Sequence, residues 1–271
     1  MNRTLLAAAT ILIACGLGHA SAADLAARAP VYKAPPPAPA PYSWTGFYVG
    51  GDIGALWTHS GPGVWDPGPN PFSFGEFPIT GNLHKNGQFV GGVHVGYNYQ
   101  FAPTWVAGIE GDWSGTDAKA SFTQSWINTV VGLRPDSQST LSIKENWLAT
   151  VRARIGYLVT PAALVYFTGG AAWGDFDYAA NAHNETFTYV ATSQFSKTAP
   201  GYVLGGGFEY AFWGNWSARG EYLFYHLSTT AATTAFDGTG NFPPPTFPSG
   251  FAWQGGTNIN VVRAGVSYKF F

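Results

Sequence analysis

Charged side chains occur in this sequence at alternate positions of short segments whose other positions are mostly apolar or aromatic. Because successive side chains of a β-strand point to opposite faces, this spacing gathers the charges on one face. That face carries five acidic and five basic residues: Asp52, Glu110, Asp112, Glu209 and Glu221, and Arg152, Arg154, Arg219, Arg263 and Lys269. Equal numbers of opposite charges predict a network of ion pairs and hydrogen bonds rather than a reaction centre.

His94 is the residue on this face whose chemistry suits proton transfer. Its segment precedes the one that holds Glu110 and Asp112, so the imidazole is expected within reach of either carboxyl group. A lone interior histidine is more often a hydrogen-bonded part of a core. The sequence also lacks a nucleophile elbow and metal-ligand spacing. We therefore assign no catalytic residue, no cofactor and no metal ligand.

Eight segments with a two-residue period position these side chains: 47–57, 88–101, 105–114, 147–157, 164–176, 201–212, 216–224 and 262–270. The fifth has apolar or small residues on both faces, so its phase is not fixed. Long connections at 58–86, 117–144, 177–198 and 229–257 alternate with short turns, and all 19 prolines fall outside the segment interiors. Ten-residue alternating segments with this loop pattern are typical of a transmembrane β-barrel.

The composition favours a membrane environment for the apolar face. Only 10% of the residues are charged and 17% are aromatic, whereas about 25% charge is typical of soluble domains. A soluble β-sandwich or lipocalin-like barrel is the alternative, but the strand aromatics are too many to fit inside a small barrel. We expect an all-β fold over residues 44–271, an eight-stranded antiparallel transmembrane up-and-down β-barrel. The net charge of −2 gives no basic surface for nucleic acid.

The amino terminus predicts export. Residues 1–22 combine Arg3, an apolar stretch and a small-residue cleavage site, which is the layout of a secretory signal peptide. Residues 23–43 are rich in proline and are expected to form a periplasmic lead-in to the barrel. A lipoprotein cleavage box that leaves Cys15 lipidated is the alternative, and it fits less well because Ile13 is unusual there.

The carboxyl terminus is an amphipathic strand that ends on aromatic residues. Its apolar face includes Val266, Tyr268 and Phe270, and Phe271 follows. Such termini resemble the signal that barrel-insertion machinery reads. We therefore expect this protein to meet periplasmic chaperones and the barrel-assembly machinery before it reaches the outer membrane of a Gram-negative bacterium.

Four stretches carry a resemblance to a known family: Tyr42–Gly51 after the proline-rich lead-in, Gly91–Gln100, Arg152–Tyr157 and Val262–Phe270. Together they resemble the alphaproteobacterial small outer-membrane proteins called the porin family, the major surface proteins of brucellae and rhizobia. The resemblance implies an OmpA-like eight-stranded barrel. Family members usually end at the phenylalanine that matches Phe270, so Phe271 is a departure.

The expected function is structural: a monomeric, non-enzymatic barrel that supports the envelope and presents loops to the outside. An eight-stranded interior is filled by side chains, so its charges are expected to pair across the lumen. Outer-membrane lipids and lipopolysaccharide are the expected surroundings. The alternatives left open are a narrow pore for small solutes or ions, a lipid A-modifying enzyme, and a haem or metal receptor. The last uses His59, His84, His183 and His226, because the resemblance implies haemin binding for some members.

Overall fold

In the computed structural model the described residues are 42–60, 63–66, 83–128, 134–184, 189–228, 231–233, 237–239, 250–253 and 256–270. The predicted signal peptide, most of the lead-in, and Phe271 lie outside them. Within these residues, no helix has the length and apolar character needed to cross a membrane.

The described residues form twelve strands in chain order. They are β1 (Gly46–Ser60), β2 (Gly63–Asp66), β3 (Leu83–Ala102), β4 (Trp105–Asn128), β5 (Arg134–Thr160), β6 (Ala163–Asn184), β7 (Tyr189–Trp213), β8 (Trp216–Ser228), β9 (Ala231–Thr233), β10 (Asp237–Thr239), β11 (Gly250–Trp253) and β12 (Gly256–Phe270).

Eight of these strands close into an antiparallel ring in the order β1, β3, β4, β5, β6, β7, β8, β12. The ring closes where Phe47 of β1 pairs with Phe270 of β12, while the other edge of β1 pairs with β3. The predicted eight-stranded barrel is confirmed. The short strands β2, β11 and β9 form a separate small sheet, and β10 pairs with β7.

The alternation of side chains separates a lipid-facing surface from the interior. Large apolar residues such as Ile53, Phe89 and Ile109 are about two-thirds exposed on the outer face. On β6, whose phase the sequence leaves open, Phe167 points outward, while Leu164 and Tyr166 are buried inside. Apolar groups on a lipid-facing surface lie in hydrocarbon rather than in water.

The strands run further than the sequence indicates. Residues 117–128, 134–144, 177–184 and 189–198 were expected in connections, but they extend β4, β5, β6 and β7. There, small and polar residues alternate, as with buried Ala118 and exposed Lys119, so the periodic signal is weak.

Pro200 lies inside β7, paired with Trp173, one residue before β7 begins to pair with β8. Proline is tolerated at such a boundary because, among the described strands, none pairs with this edge of β7 at Pro200.

Two apolar layers fill the interior near its ends. At the end with the short turns, which is periplasmic in barrels of this kind, Trp44, Val106, Leu158, Leu164 and Tyr166 pack together. The Trp44 indole donates a hydrogen bond to the carbonyl of Pro161 at 3.1 Å. A larger layer lies towards the other, extracellular end and includes Leu56, Leu148, Phe176, Val203, Leu223, Tyr225, Leu227 and Ile259.

Candidate functional site

The strand register gathers the predicted interior charges at one level between the two apolar layers. Glu110 pairs in register with Arg152, Glu209 with Arg219, and Glu221 with Arg263. We call the following set the charged layer: Asp52, His94, Glu110, Asp112, Arg152, Arg154, Glu209, Arg219, Glu221 and Arg263. Each of these residues is between 1% and 6% exposed.

Glu110 is the most connected carboxylate of the charged layer. One of its oxygens accepts a hydrogen bond from Arg152, and the other accepts from Arg219 at 2.7 Å and from Arg154 at 3.5 Å. The Tyr48 hydroxyl donates to the same second oxygen at 2.7 Å. Such dense pairing offsets the free-energy cost of burying a carboxylate.

Glu221 forms a second centre across the lumen from β5. It accepts hydrogen bonds from Arg152 at 2.9 Å and from Arg263 at 2.8 Å. The Tyr166 hydroxyl donates to it at 3.2 Å. Because Arg152 bonds both Glu110 and Glu221, one guanidinium group joins the two centres.

The remaining charges attach to these centres. Arg154 donates to Glu209 at 2.8 Å and lies 4.0 Å above the ring of Tyr166. Asp112 accepts from the Thr150 hydroxyl and from Arg263 at 3.3 Å.

His94 bonds to partners that the sequence did not indicate. Its Nδ1 lies 2.7 Å from a carboxylate oxygen of Asp52, and its Nε2 lies 2.9 Å from the Ser267 hydroxyl. His94 lies opposite Asp112 in the strand register, but its hydrogen bonds go to Asp52 and Ser267. Arg219 and His94 share Asp52, with Arg219 bidentate at 2.8 and 2.7 Å. Gly50 and Gly265 make room for this group, since an added Cβ would overlap the ring of His94 or the carboxylate of Asp52.

Asp52, His94 and Ser267 repeat the hydrogen-bond order of a Ser–His–Asp triad. A working triad also needs space for a carbonyl group and donors for its oxyanion. Here Ser267 is 1% exposed, and its layer is covered by packed apolar side chains on both sides. The arrangement is chemically suited to orienting the imidazole inside a closed interior.

Lys269 does not join the charged layer. It is half-buried near the periplasmic end, where Nζ lies 3.5 Å from the carbonyl oxygen of Thr45 and 5.2 Å from the ring centre of Tyr42. The layer therefore holds five carboxylates and four guanidinium groups, which sum to −5 + 4 = −1 with a neutral His94.

Several uncharged residues complete the network and were not among the predicted site residues. Tyr48, Thr150, Tyr166, Ser217 and Ser267 each hydrogen-bond to a member of the charged layer. Tyr48 shares the strand face of Asp52, so its position followed from the period. Tyr166 lies on β6, whose phase the sequence did not give.

The other histidines among the described residues lie towards the extracellular end. Directly opposed positions run across β3, β1, β12 and β8 through His84, His59, Asn258 and His226. The Nδ1 atom of His226 lies 2.7 Å from the Asn258 side-chain oxygen. His183 lies apart on β6. Within the described residues, no group of three or more His, Cys, Asp or Glu residues is arranged to hold a metal ion.

The geometry defines a class: a closed antiparallel barrel with an apolar outer face and a charged layer sealed inside. The chain belongs to the outer membrane protein β-barrel domain family, whose profile matches residues 12–270. This confirms the resemblance that the four sequence stretches indicated.

Two sequence relatives agree with this assignment. A 31 kDa outer-membrane immunogenic protein of Brucella melitensis is 33% identical over 255 residues, which is 93% of each chain. A 22 kDa outer membrane protein of Rhizobium leguminosarum bv. viciae is 30% identical over 230 residues, 84% of this chain and 79% of its own. The solved structure of Neisserial surface protein A covers 83% of this chain and 98% of its own, with 14% identity and a TM-score of 0.39.

Proposed function

We propose that this protein is a non-enzymatic structural barrel of the outer membrane that supports the envelope and presents its extracellular end at the cell surface. The observation that carries this proposal is the charged layer enclosed between two apolar layers. A conducting lumen needs a continuous hydrated path, whereas these layers consist of side chains that are almost fully buried.

The charged layer would fix the register of the ring. A strand that slips by one residue turns its inward charges towards lipid, where charges are costly. Each arginine of the layer bonds at least one carboxylate from another strand, so the correct register is the one that satisfies these charges. We propose a monomer embedded among outer-membrane lipids and lipopolysaccharide and inserted by the barrel-assembly machinery.

Planar-bilayer recording on the refolded chain tests the closed lumen. We expect no steady conductance, with a large-pore barrel inserted under the same conditions as positive control. Stable steps on the nanosiemens scale would replace the proposal with a pore.

A second candidate is a haem or metal receptor, favoured by the row of His84, His59 and His226 across neighbouring strands. It predicts a Soret shift with haemin that disappears when these residues are replaced. The matched control is replacement of His183, which lies outside the row. An unchanged titration in the triple variant would remove this candidate.

A further inference from the structure

Near the extracellular end of the barrel, β3 and β4 are no longer paired with each other, and we call this unpaired stretch the parting. Pairing of these strands stops at Val90 and Thr116, where the Thr116 hydroxyl donates to the carbonyl of Phe89 at 3.0 Å. Beyond this point β4 continues to Asn128 and pairs with β5 alone among the described strands. Among the described strands, none pairs with this edge of β4 beyond Thr116.

A buried carboxyl group lies behind this parting. Glu145 of β5 is 3% exposed, and one carboxyl oxygen is 3.4 Å from the Thr58 hydroxyl. Its other oxygen, Oε1, has no hydrogen-bond partner among the residues that the structure describes. The lysines on the neighbouring outer surface are engaged elsewhere: Lys119 and Lys144 lie 3.7 and 3.8 Å from Asp117. An unpaired buried carboxyl group is costly, so its presence calls for a partner.

A small cavity adjoins the carboxyl group. Its lining includes the polar or charged residues Thr58, Gln88, Lys119 and Glu145 and the apolar residues Ala120, Ile143 and Phe176. The volume of about 10 Å³ accommodates one water-sized group.

This level lies beyond the apolar belt of the barrel. Trp113 and Trp173 are on the lipid-facing surface, and both pair in register with Ala149 of β5. Glu145 lies four residues before Ala149 in the same strand, towards the extracellular end. At the level of Glu145 the outward positions are held by charged residues, including Lys144 and Asp177.

Burial in this apolar surrounding raises the pKa of Glu145 to about 8, although the Thr58 hydrogen bond acts in the opposite direction. The strands packed around it offer Thr58, Gln88 and Lys119 at the cavity, and these charged or titratable groups on their outer faces: His59, Asp117, Lys144, Asp175 and Asp177.

We propose that this cavity binds the primary ammonium group of an alkylamine that enters from outside between β3 and β4. An ammonium group has three donors and no acceptor. The cavity offers the unpartnered carboxyl oxygen of Glu145 as an acceptor, and Thr58 and Gln88 also line it. An ammonium head is close to a water molecule in size, and the apolar lining suits the methylene groups that follow it. A single carboxylate is too few oxygen ligands for a divalent cation. The site is separate from the charged layer and does not depend on the proposed function.

Titration calorimetry of the refolded full chain with n-butylammonium chloride tests the site. We expect saturable binding that is about tenfold tighter at pH 9 than at pH 7, because the ionised fraction of Glu145 rises by about that factor while the amine stays protonated. Glu145→Gln should weaken binding at least tenfold. Asp175→Asn, which changes a carboxylate on the outer surface at this level, should leave binding unchanged.

Three further ligands test which chemical group is bound and which class of molecule carries it. Trimethylbutylammonium lacks N–H donors and should not bind. Spermidine and a lysine-containing pentapeptide both carry a primary ammonium group, the first as a polyamine and the second as part of a peptide. Whichever of the two binds more tightly identifies the natural class of ligand. Thr58→Val provides a second variant if Glu145→Gln lacks the heat-dependent gel shift of a folded barrel. The proposal would be overturned if the unaltered chain showed no saturable binding. It would also be overturned if Glu145→Gln and the control Asp175→Asn bound the amine equally well.

Discussion

Arg152 of β5 donates a hydrogen bond of 2.9 Å to Glu221 of β8, so one contact joins two strands that are not neighbours in the ring. Both side chains are almost completely removed from solvent. The pair therefore acts as a cross-brace in a low-dielectric interior, where loss of one partner leaves the other charge uncompensated.

Arg152→Met should destabilise the barrel by about 3–5 kcal/mol, because it leaves Glu110 and Glu221 short of a partner. Urea unfolding in detergent, followed by tryptophan fluorescence and by the gel shift, measures this change. Adding Glu221→Gln to the same chain should recover part of the loss. The surface control is Lys119→Met, whose exposed pair with Asp117 should cost less than about 1 kcal/mol. Similar losses for both single variants would contradict a cross-bracing role.

The hydrogen-bonded series Asp52, His94 and Ser267 should be catalytically silent. A fluorophosphonate probe labels serines that are activated and accessible, whereas Ser267 is buried under packed side chains. We expect no labelling of the folded chain at any pH from 6 to 9, and no esterase activity above that of Ser267→Ala. Stoichiometric labelling that is lost in His94→Asn would instead reveal an enzyme.

Much of the fold followed from the sequence because one physical rule, the two-residue strand period, acts on every strand. The rule also located nine of the ten acidic and basic side chains at one level of the interior. Lys269 differs because it lies so close to the periplasmic end that Thr45 and Tyr42 are within reach instead.

Other features depend on three-dimensional packing that the period does not describe. Trp44 precedes β1, yet it seals the periplasmic end through a contact with Pro161 more than a hundred residues away. The choice of Asp52 over Asp112 by His94 depends on where Arg152 and Arg263 lie. The apolar layers include Leu164 and Phe176 of β6, the strand whose phase the two-residue period did not fix.

Glu145 should make the stability of the barrel depend on pH in the opposite direction from an ordinary salt-bridged acid. Its folded-state pKa is about 8, above the ordinary 4.5, so the folded chain keeps a proton that the unfolded chain has lost between these values. The contribution of this group to the free energy of unfolding is fully present below about pH 4.5 and is lost as the pH rises to about 8. Between these values the free energy of unfolding falls by at most about 1.4 kcal/mol per pH unit.

Glu145→Gln should abolish this contribution and become the more stable protein at pH 8. The measurement is the difference in unfolding free energy between the two chains at pH 5, 6.5 and 8, which cancels all other titrating groups. A difference that does not change with pH would show that the carboxyl group is ionised throughout.

Replacement of Phe270 and Phe271 together by alanine should impair assembly in the outer membrane. Phe270 closes β12 on the lipid face, paired with Phe47 of β1 at the seam of the ring, so its loss removes an aromatic group from the periplasmic girdle as well as from the terminal signal. We expect the double variant to accumulate in the periplasm without the heat-dependent gel shift. Tyr222→Ala is a matched control, because Tyr222 is a similarly exposed lipid-facing aromatic on β8 but lies away from the terminus. If the control assembles normally and the double variant fails, the terminus acts as a signal. Equal failure would attribute both defects to lost lipid-facing area, and normal assembly of both would show that neither role limits insertion.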